Sequence, residues 1–388
     1  MTHWHIITGE YPPQPGGVSD YTRRLARGLV DAGDRVDVWA PPVDEPECAD
    51  PGVTVRRLPD RFGPRALRML SRELDRQPAP RRLLVQYVPH AFGWKAANVS
   101  FCLWLQSRRR DSIWVMFHEV AFPFDRVQAV SRNALALVHR LMAWMVASSA
   151  ERAFVSIPGW RQMVQSMIGK GKSVEWLPVP SSIPVVRNPA VSASVRARYA
   201  GARPLVGHFG THGHVIREML GVSIPPLVEA TDCGVLLVGR CSDETARELV
   251  TKHPHLAGRV HGTGPLTDEA VSQHIAACDL MLQPYPDGVS SRRTSAMVAL
   301  SHGVPLVTTS GWLTEPLWEE SGALDLVRAD DPGMLAPAAA RLLESTARRE
   351  LLGARARDLY HSRFDMGHSI RTLRDADAAS RQLTPAHA

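Results

Sequence analysis

Residues 278–318, CDLMLQPYPDGVSSRRTSAMVALSHGVPLVTTSGWLTEPLW, decide the fold of this chain. The apolar runs Asp279–Gln283 and Val304–Thr309 each predict a short buried strand. Between them, Pro284–Gly288 breaks the chain, and a helical segment follows that Gly303 ends. A strand, a helix and a strand in this order are typical of a parallel α/β sheet.

The start of this predicted helix is the first candidate binding site. Ser290 and Ser291 favour a helix N-cap, because a serine oxygen accepts a free backbone N–H of the first turn. A helix that begins just past a strand directs unpaired N–H groups and the positive end of its dipole at that point. Arg292 and Arg293 add two cations there. The pattern fits a phosphate site, and it equally fits an ordinary strand–helix connection with two solvated arginines.

The length and charge of the chain narrow its class. With 388 residues it exceeds the size at which single cores stop growing, about 250–300 residues, so we expect two domains. The net charge of +6 suits a nucleic-acid binder, an enzyme of phosphorylated substrates, or a protein at an anionic membrane. The sequence shows no concentrated basic tail and no basic recognition motif, which argues against nucleic acid as a partner.

The cysteines favour a reducing compartment. They are odd in number and form no CxxC pair, which argues against a disulfide framework and against structural zinc. The sequence contains no apolar run long enough for a signal peptide or a membrane span, so we expect a cytoplasmic protein. The cysteines are Cys48, Cys102, Cys233, Cys241 and Cys278.

The rest of the chain repeats the strand–helix alternation in two halves. Trp4–Thr8 predicts a strand, the loop GEYPPQPGG follows, and Val18–Leu29 has the apolar spacing of an amphipathic helix. The proline-rich segment Pro178–Pro189 reads as a linker, and Leu205–Phe209 predicts the first strand of a second α/β domain. Ligands of open α/β sheets bind at the carboxyl ends of the strands, so we expect the site in a cleft between the domains.

Five motifs in this order resemble those of the retaining glycosyltransferases of the GT-B fold, specifically glycosyltransferase family 4. The resemblance covers nearly the whole chain. It rests on YPPQPGGVSDYTRRLARGL from Tyr11, HE at His118–Glu119, HGTGPLTDEAVSQHIAACDLMLQPYPDG from His261, HGVPLVTTSGWLTEPLW from His302, and FDMGHSIRTLRDA from Phe364.

The resemblance implies the architecture. It predicts an α/β fold of two Rossmann-like doubly wound domains that face each other across a cleft, with a C-terminal helix that crosses back to the N-terminal domain. The implied boundaries are residues 1–183 for an acceptor-binding domain, 184–365 for a donor-binding domain, and 366–388 for the final helix.

The resemblance also implies the activity. The expected reaction moves a sugar from a nucleotide diphosphate-sugar donor to an unidentified glycan, lipid or small-molecule acceptor, with retention of anomeric configuration and without a metal or other cofactor. The expected catalytic residues are His118, Arg292 and Arg293. The expected donor-binding residues are Gly16, Gly17, Gly210, Arg217, Gly239, Gly262, Asp287, Ser290, Ser291, Thr294 and Glu315.

Two features depart from the family's pattern. The family usually carries two glutamates eight positions apart before the HGVP-like element, and the matching positions here are Ser290 and Val298. Its usual arginine and lysine in the first loop of the C-terminal domain are also missing, and Arg217 is the only cation near that loop. Either Asp287 and the neighbouring serines and arginines replace these groups, or the donor differs. An alternative is a catalytically silent GT-B protein that binds nucleotide or glycan as a partner subunit.

Other interpretations stay open for several residues. Plain turns also explain the glycines Gly16, Gly17, Gly239 and Gly262. His208, His212 and His214 suggest a metal cluster, but no carboxylate accompanies them, so we expect no metal there. A phosphorylase that uses pyridoxal phosphate shares the general two-domain fold, but Lys252 is the only lysine of the second half.

A peripheral contact with the inner face of the membrane is an alternative for the N-terminal domain. The aromatic and basic segment Trp94–Arg110 and the apolar helix Asn133–Ala150 are typical of surfaces that dock on lipid. They are equally typical of a buried core helix and a solvated arginine loop.

Overall fold

The structure is a computed structural model that describes residues 1–46, 49–122, 124 and 130–383, with side chains to residue 379. Cys48 and residues 384–388 of the predicted C-terminal helical segment lie outside the described residues. The chain divides into two compact units, Met1–Val179 with Met366–Ala388, and Pro180–Asp365.

The first unit is built on a parallel sheet with the order β3-β2-β1-β4-β5-β6-β7. Its strands are β1 His3–Thr8, β2 Arg35–Ala40, β3 Val53–Arg57, β4 Arg82–Tyr87, β5 Ser112–Phe117, β6 Arg152–Val155 and β7 Ser173–Trp176. Its α-helices are α1 Gly17–Asp31, α2 Pro64–Asp75, α3 Val99–Ser107, α4 Val130–Ser149 and α5 Arg161–Met167, joined by the C-terminal helix α14 Met366–Leu383.

The second unit has a parallel sheet with the order β10-β9-β8-β11-β12-β13. Its strands are β8 Leu205–Phe209, β9 Gly234–Val238, β10 Val260–Gly262, β11 Leu280–Gln283, β12 Leu306–Ser310 and β13 Asp325–Arg328. Its α-helices are α6 Pro189–Tyr199, α7 His214–Thr231, α8 Ser242–Lys252, α9 Asp268–Ala276, α10 Thr294–His302, α11 Pro316–Ser321, α12 Leu335–Leu343 and α13 Thr346–Arg363.

Burial on both faces explains why the central strands are continuous apolar runs. On β1, Ile7 belongs to one core and its neighbour Ile6 to the other, and on β4 Val85 and Leu84 divide in the same way. Parallel sheets covered by helices on both sides have this composition. The predicted α/β class with two Rossmann-like doubly wound domains is confirmed.

The strand order fixes where side chains collect. In each sheet, successive strands are added first on one side of the initial strand and then on the other. The order switches between β1 and β4 in the first unit and between β8 and β11 in the second. The carboxyl ends of these strand pairs form the crevice in which open α/β sheets place ligands.

The C-terminal helix α14 packs on the first unit. Gly28 of α1 leaves room for Ile370, because a Cβ there would lie 2.2 Å from the Ile370 side chain. Asp377 accepts hydrogen bonds from the Thr2 hydroxyl at 2.7 Å and from the Arg82 guanidinium at 2.7 Å. The predicted return of the last helix to the N-terminal domain is therefore confirmed.

The predicted start of α10 was wrong. Helix α10 begins at Thr294 rather than directly after Ser290 and Ser291, although it ends as predicted at Gly303, whose φ is 68°. Farther along the chain, α12 and α13 are separate helices, because the Ser345 side chain caps the start of α13. None of the helices that the structure describes is long and apolar enough to cross a bilayer.

Candidate functional site

The loop between β11 and α10 is fastened to the end of β12. The Tyr285 N–H donates to the Thr309 hydroxyl at 2.7 Å, and the Val289 N–H donates to the Thr309 carbonyl at 2.7 Å. Gly288 has φ 85°, and a Cβ there would lie 2.2 Å from the Gly311 nitrogen. The loop is therefore held in one path by backbone contacts that only glycine permits.

Asp287 forms ion pairs with both predicted arginines of this loop. Its Oδ2 accepts from an Arg292 Nη at 3.1 Å, and its Oδ1 accepts from Arg293. The Arg293 guanidinium also lies 4.8 Å from the ring centre of Tyr285. Both arginine side chains stay about a quarter exposed, 21% and 26%. A guanidinium has five N–H donors in a planar fork, which suits contacts with oxygen atoms.

Glu315, in the segment that follows β12, also holds this loop. Its carboxylate accepts the Ser291 N–H at 2.9 Å, the Ser291 hydroxyl, and the indole N–H of Trp318. The residue is 7% exposed. Burial raises the pKa of the Glu315 carboxyl, and the hydrogen bonds from Ser291 and Trp318 oppose that shift. Both oxygens therefore serve the protein's own structure here, and the expected contact with a donor stays a prediction.

The serines lie in a turn that precedes α10. The Ser290 carbonyl accepts the Arg293 N–H at 2.9 Å, and Arg293 is the N-cap residue. Neither serine is the N-cap, which corrects the sequence prediction: Ser291 is drawn to Glu315, a residue 24 positions away. Because a guanidinium cannot accept a hydrogen bond, the Arg293 side chain does not cap the backbone N–H groups of the first turn of α10.

Two neutral polar side chains, His208 and Gln283, belong to the strands β8 and β11 that border the crevice. His208 donates from Nδ1 to the Leu282 carbonyl at 2.9 Å, and burial lowers the pKa of His208 to about 3. The Gln283 amide donates to the Phe209 carbonyl at 3.0 Å, while its oxygen is buried without a hydrogen-bond partner. Gln283 was not predicted as a site residue, although it is the last residue of the predicted strand.

The three histidines near β8 do not converge on one point. His208 and His212 meet edge to face with ring centres 4.9 Å apart, but His214 pairs with Glu218 at 3.5 Å on exposed helix surface. The expectation that no metal binds at this place remains a prediction.

His118 belongs to the first unit and directly follows β5. Its Nε2 donates to the Gln86 oxygen at 2.8 Å, and the Tyr21 ring packs edge-on at 4.9 Å. Burial lowers the pKa of His118 to about 3. The imidazole is therefore neutral near pH 7, with the proton on Nε2 and Nδ1 able to accept a hydrogen bond.

The glycine loop of the first unit has its own anion. Glu10 accepts the Val18 and Ser19 N–H groups, each at 3.1 Å, at the start of α1. A Cβ on Gly16 would lie 2.4 Å from the Glu10 carboxylate, whereas a Cβ on Gly17 would meet nothing within 4 Å. Gly16 is therefore explained by packing, and Gly17 is not.

Two family models match the chain, one in each half. The model described as Glycosyltransferase Family 4 matches residues 15–172, and the model described as Glycosyl transferases group 1 matches residues 205–345. This chain is a GT-B glycosyltransferase of the family 4-like type. No curated protein sequence matches it significantly.

Solved structures share the fold of this glycosyltransferase over nearly its whole length. Sucrose-phosphate synthase from Thermosynechococcus elongatus has a TM-score of 0.75 at 17% identity and covers 99% of this chain and 100% of its own. HepE from Anabaena, solved in complex with UDP, has a TM-score of 0.66 at 17% identity, with 98% and 100% covered. WaaG, a glycosyltransferase involved in lipopolysaccharide biosynthesis, has a TM-score of 0.64 at 15% identity, with 96% and 99% covered.

The remaining predicted donor residues of the glycosyltransferase have structural explanations. A Cβ on Gly239 would lie 2.2 Å from the Gly210 carbonyl, and a Cβ on Gly262 would lie 2.4 Å from the Ser242 carbonyl. Arg217 pairs with Glu248 at 3.0 Å on partly exposed surface. These contacts account for the residue types without a ligand, and the donor roles stay predictions.

The structure thus brings together one part of the predicted set. The residues that meet around the start of α10 are Asp287, Ser290, Ser291, Arg292, Arg293, Thr294 and Glu315. Gly210 and Gly239 meet at the ends of β8 and β9, while His118, Gly16 and Gly17 belong to the first unit. Glu10 and Gln86 were missed because their partners become visible only when the chain is folded.

Proposed function

We propose that this glycosyltransferase moves a sugar from a nucleotide diphosphate-sugar donor to an acceptor, with retention of anomeric configuration and without a bound metal. The observation that carries the proposal is the pair Arg292 and Arg293, held by Asp287 at the start of α10. UDP is the first donor nucleotide to test, because HepE, which has a similar fold, has been solved with UDP and with UDP-glucose.

The leaving diphosphate gains negative charge as the bond to the sugar breaks. Guanidinium groups fixed in advance near that charge lower the barrier, and such electrostatic effects are often the largest in catalysis. Arg292 and Arg293 are fixed in advance because Asp287 holds both side chains, and an arginine fork binds phosphate oxygens in two places. The dipole of α10 acts in the same direction.

The proposed retention follows from the family resemblance. In that scheme the leaving phosphate takes the proton of the acceptor hydroxyl, so no dedicated base is needed. His118 fits a positioning role beside the sugar rather than proton transfer, because burial lowers its pKa to about 3 and its Nε2 proton is bound by Gln86.

The state of the carboxylates supports a metal-free mechanism. A divalent ion at a diphosphate usually needs one or two carboxylate ligands. Near the start of α10, Asp287 is committed to two arginines and Glu315 to Ser291 and Trp318. The guanidinium groups then supply the positive charge that a metal would bring.

A silent binding subunit is the second candidate, and one position favours it. Val298, which stands where the family usually has a glutamate, is fully buried within α10 and offers no polar group. Donor hydrolysis or transfer above the uncatalysed rate excludes this candidate, whereas nucleotide binding without turnover supports it.

The roles of the two units remain part of the proposal. We assign the acceptor to the predicted segment 1–183 and the donor to 184–365, and we place the enzyme in the cytoplasm with no nucleic-acid partner.

One face of α4 carries exposed Leu137, Leu141 and Trp144 at helical spacing, and these residues are 60%, 48% and 50% exposed. This face suits contact with the inner face of the membrane. Co-sedimentation with anionic vesicles that falls in Leu141→Glu tests the contact, and equal sedimentation of both proteins contradicts it.

A thermal-shift titration with UDP, GDP, ADP, TDP and CDP, with and without a chelator, tests the donor site. A nucleotide that binds only the folded protein adds about 2.7 kcal/mol at 100 times its Kd. We expect one nucleotide to raise Tm, by the same amount with and without chelator. No shift with any nucleotide contradicts the proposed donor site, and a shift that chelator abolishes contradicts the metal-free mechanism.

A further inference from the structure

A second polar cluster lies in the first unit, away from the carboxyl ends of its strands. His3 and His5 are two residues apart on β1, so both point to the same face of the sheet. Asp37 on the neighbouring strand β2 stands in register with His5 and belongs to the same face. Counted along β1, His5 lies about 10 Å and His3 about 16 Å from Thr8, where the strand ends.

The buried carboxylate of this cluster is poorly satisfied. Asp37 is fully buried, and neither of its oxygens makes a hydrogen bond. The His3 Nε2 and Arg56 Nε lie near it, each 3.4 Å from Oδ2, but both nitrogens are also buried without a hydrogen bond. The Arg56 guanidinium offsets the buried charge from this longer distance, so the place favours a cation that approaches the carboxylate more closely.

The spacing of the three groups suits a transition metal. Bonds of about 2.0–2.1 Å in a tetrahedral zinc site place ligand atoms about 3.3–3.4 Å apart. The His3 Nε2 lies 3.4 Å and the His5 Nδ1 lies 3.8 Å from Asp37 Oδ2. All three ligand atoms lie within 4.8 Å of one another, and no other group among the described residues meets that condition.

We propose that His3, His5 and Asp37 bind one zinc-class divalent ion. Two imidazoles with one carboxylate select zinc and its neighbours over magnesium or calcium, which prefer oxygen ligands. The indole N–H of Trp39 lies 3.4 Å from the His5 Nδ1, a long hydrogen bond that the metal replaces.

A cavity borders the two histidines. A cavity of about 390 Å³ is lined by both histidines together with Thr2, Arg82 and Asp377. The His3 side chain is 25% exposed, so an ion and a water molecule as fourth ligand can enter. The ion ties β1 to β2 at the end of the sheet opposite the glycine loop, and it takes no part in the proposed sugar transfer.

The test strips metal from the tag-free protein with a chelator, removes the chelator by dialysis, and then measures how much added zinc the protein binds. We expect one zinc per chain, a visible absorption spectrum of tetrahedral Co²⁺, and a rise of Tm with zinc. His3→Ala, which alters a partly exposed side chain, is expected to weaken binding more than 10-fold, and Asp37→Asn to weaken it at least as much.

The chain offers a matched control in a second His-x-His sequence. His253 and His255 have ring centres 5.9 Å apart on the surface, where His255 pairs with Glu229. The double variant His253→Ala/His255→Ala is expected to bind zinc as the unmodified protein does. The proposal is overturned if no stoichiometric ion binds, or if His3→Ala binds zinc as tightly as the control. In the first case Asp37 serves only as a counter-ion of Arg56.

Melting in chelator separates misfolding from loss of the site. If Asp37→Asn does not fold, His3→Ala still decides, because without metal it is expected to melt as the metal-free unmodified protein does. This result is also independent of the donor proposal: in His3→Ala the chelator no longer changes Tm, whereas the shift caused by a nucleotide persists.

Discussion

The starts of α1 and α10 both follow a loop at a strand's carboxyl end, but their charges differ. At α1 the Glu10 carboxylate already accepts two backbone N–H groups of the first turn. At α10 the N-cap is Arg293, and the neighbouring carboxylate of Asp287 is committed to two guanidinium groups. A helix start whose N–H groups already bond to a carboxylate is stabilised by the protein itself. A helix start flanked by arginines is suited to bind a phosphate.

The largest expected effect comes from removing the cations at α10. Arg292→Ala and Arg293→Ala are each expected to lower the rate of sugar transfer about 10²–10³-fold, the cost of losing one donor to a developing anion. The control is Arg247→Ala, because Arg247 is 73% exposed and pairs with Asp243 one helical turn away. Transfer rates of both site variants equal to the control would remove the arginines from the mechanism.

The two glycines before α1 provide a matched pair. In Gly16→Ala the new methyl group meets the Glu10 carboxylate at 2.4 Å, so the free energy of unfolding should fall by about 1–3 kcal/mol. Gly17→Ala meets nothing within 4 Å and should leave stability nearly unchanged. Denaturant unfolding measures both. If Gly17→Ala folds normally but loses transfer activity, a substrate approaches that position, whereas equal stability of both variants contradicts the packing of Gly16.

Removing the anion at α1 should affect stability and not donor binding. Glu10→Gln weakens the acceptor for the Val18 and Ser19 N–H groups, and the loss of a helix cap costs about 1 kcal/mol. The nucleotide-induced thermal shift should stay as in the unmodified protein. A variant that keeps its stability and loses the nucleotide shift would place the donor phosphate at α1 instead.

The pH dependence of stability reports on the buried histidine of the first unit. The pKa of His118 is about 3 in the folded protein and about 6.5 when unfolded, so its stabilising contribution is present above pH 6.5 and declines as pH falls toward 3. Between pH 6 and 4.5 the unmodified protein should lose up to about 1.4 kcal/mol per pH unit more than His118→Gln. Parallel stability curves for the two proteins would show that His118 is not buried in its neutral form.

Local sequence signals predicted the strands and the end of α10 but not its start. The strands are buried on both faces and therefore read as apolar runs, and Gly303 has the positive φ that a helix end requires. The start moved because Ser291 bonds to Glu315, a partner that is close only in the folded chain. Local capping preferences do not include such a competitor.

The candidate site was predictable by residue type and not by contact. The serines and arginines around residue 292 predicted a phosphate site from the sequence alone. The ion pairs of Asp287 with both arginines could not be predicted, because they form only when the loop is folded. The sequence does carry one signal for the cluster of His3, His5 and Asp37. Two histidines stand two positions apart in a strand, and an aspartate stands in the next strand. Only the parallel register, with His5 opposite Asp37, brings them together.

Calorimetric titration of the preferred nucleoside diphosphate and of its parent nucleoside tests the central claim most directly. If Arg292 and Arg293 bind the diphosphate, the unmodified protein should bind the diphosphate more tightly than the nucleoside. The expected gain is about 10–100-fold for each hydrogen bond between a guanidinium and a phosphate oxygen. In the double variant Arg292→Ala/Arg293→Ala that preference should disappear, while nucleoside affinity stays the same. A double variant that keeps the full preference for the diphosphate would contradict the account.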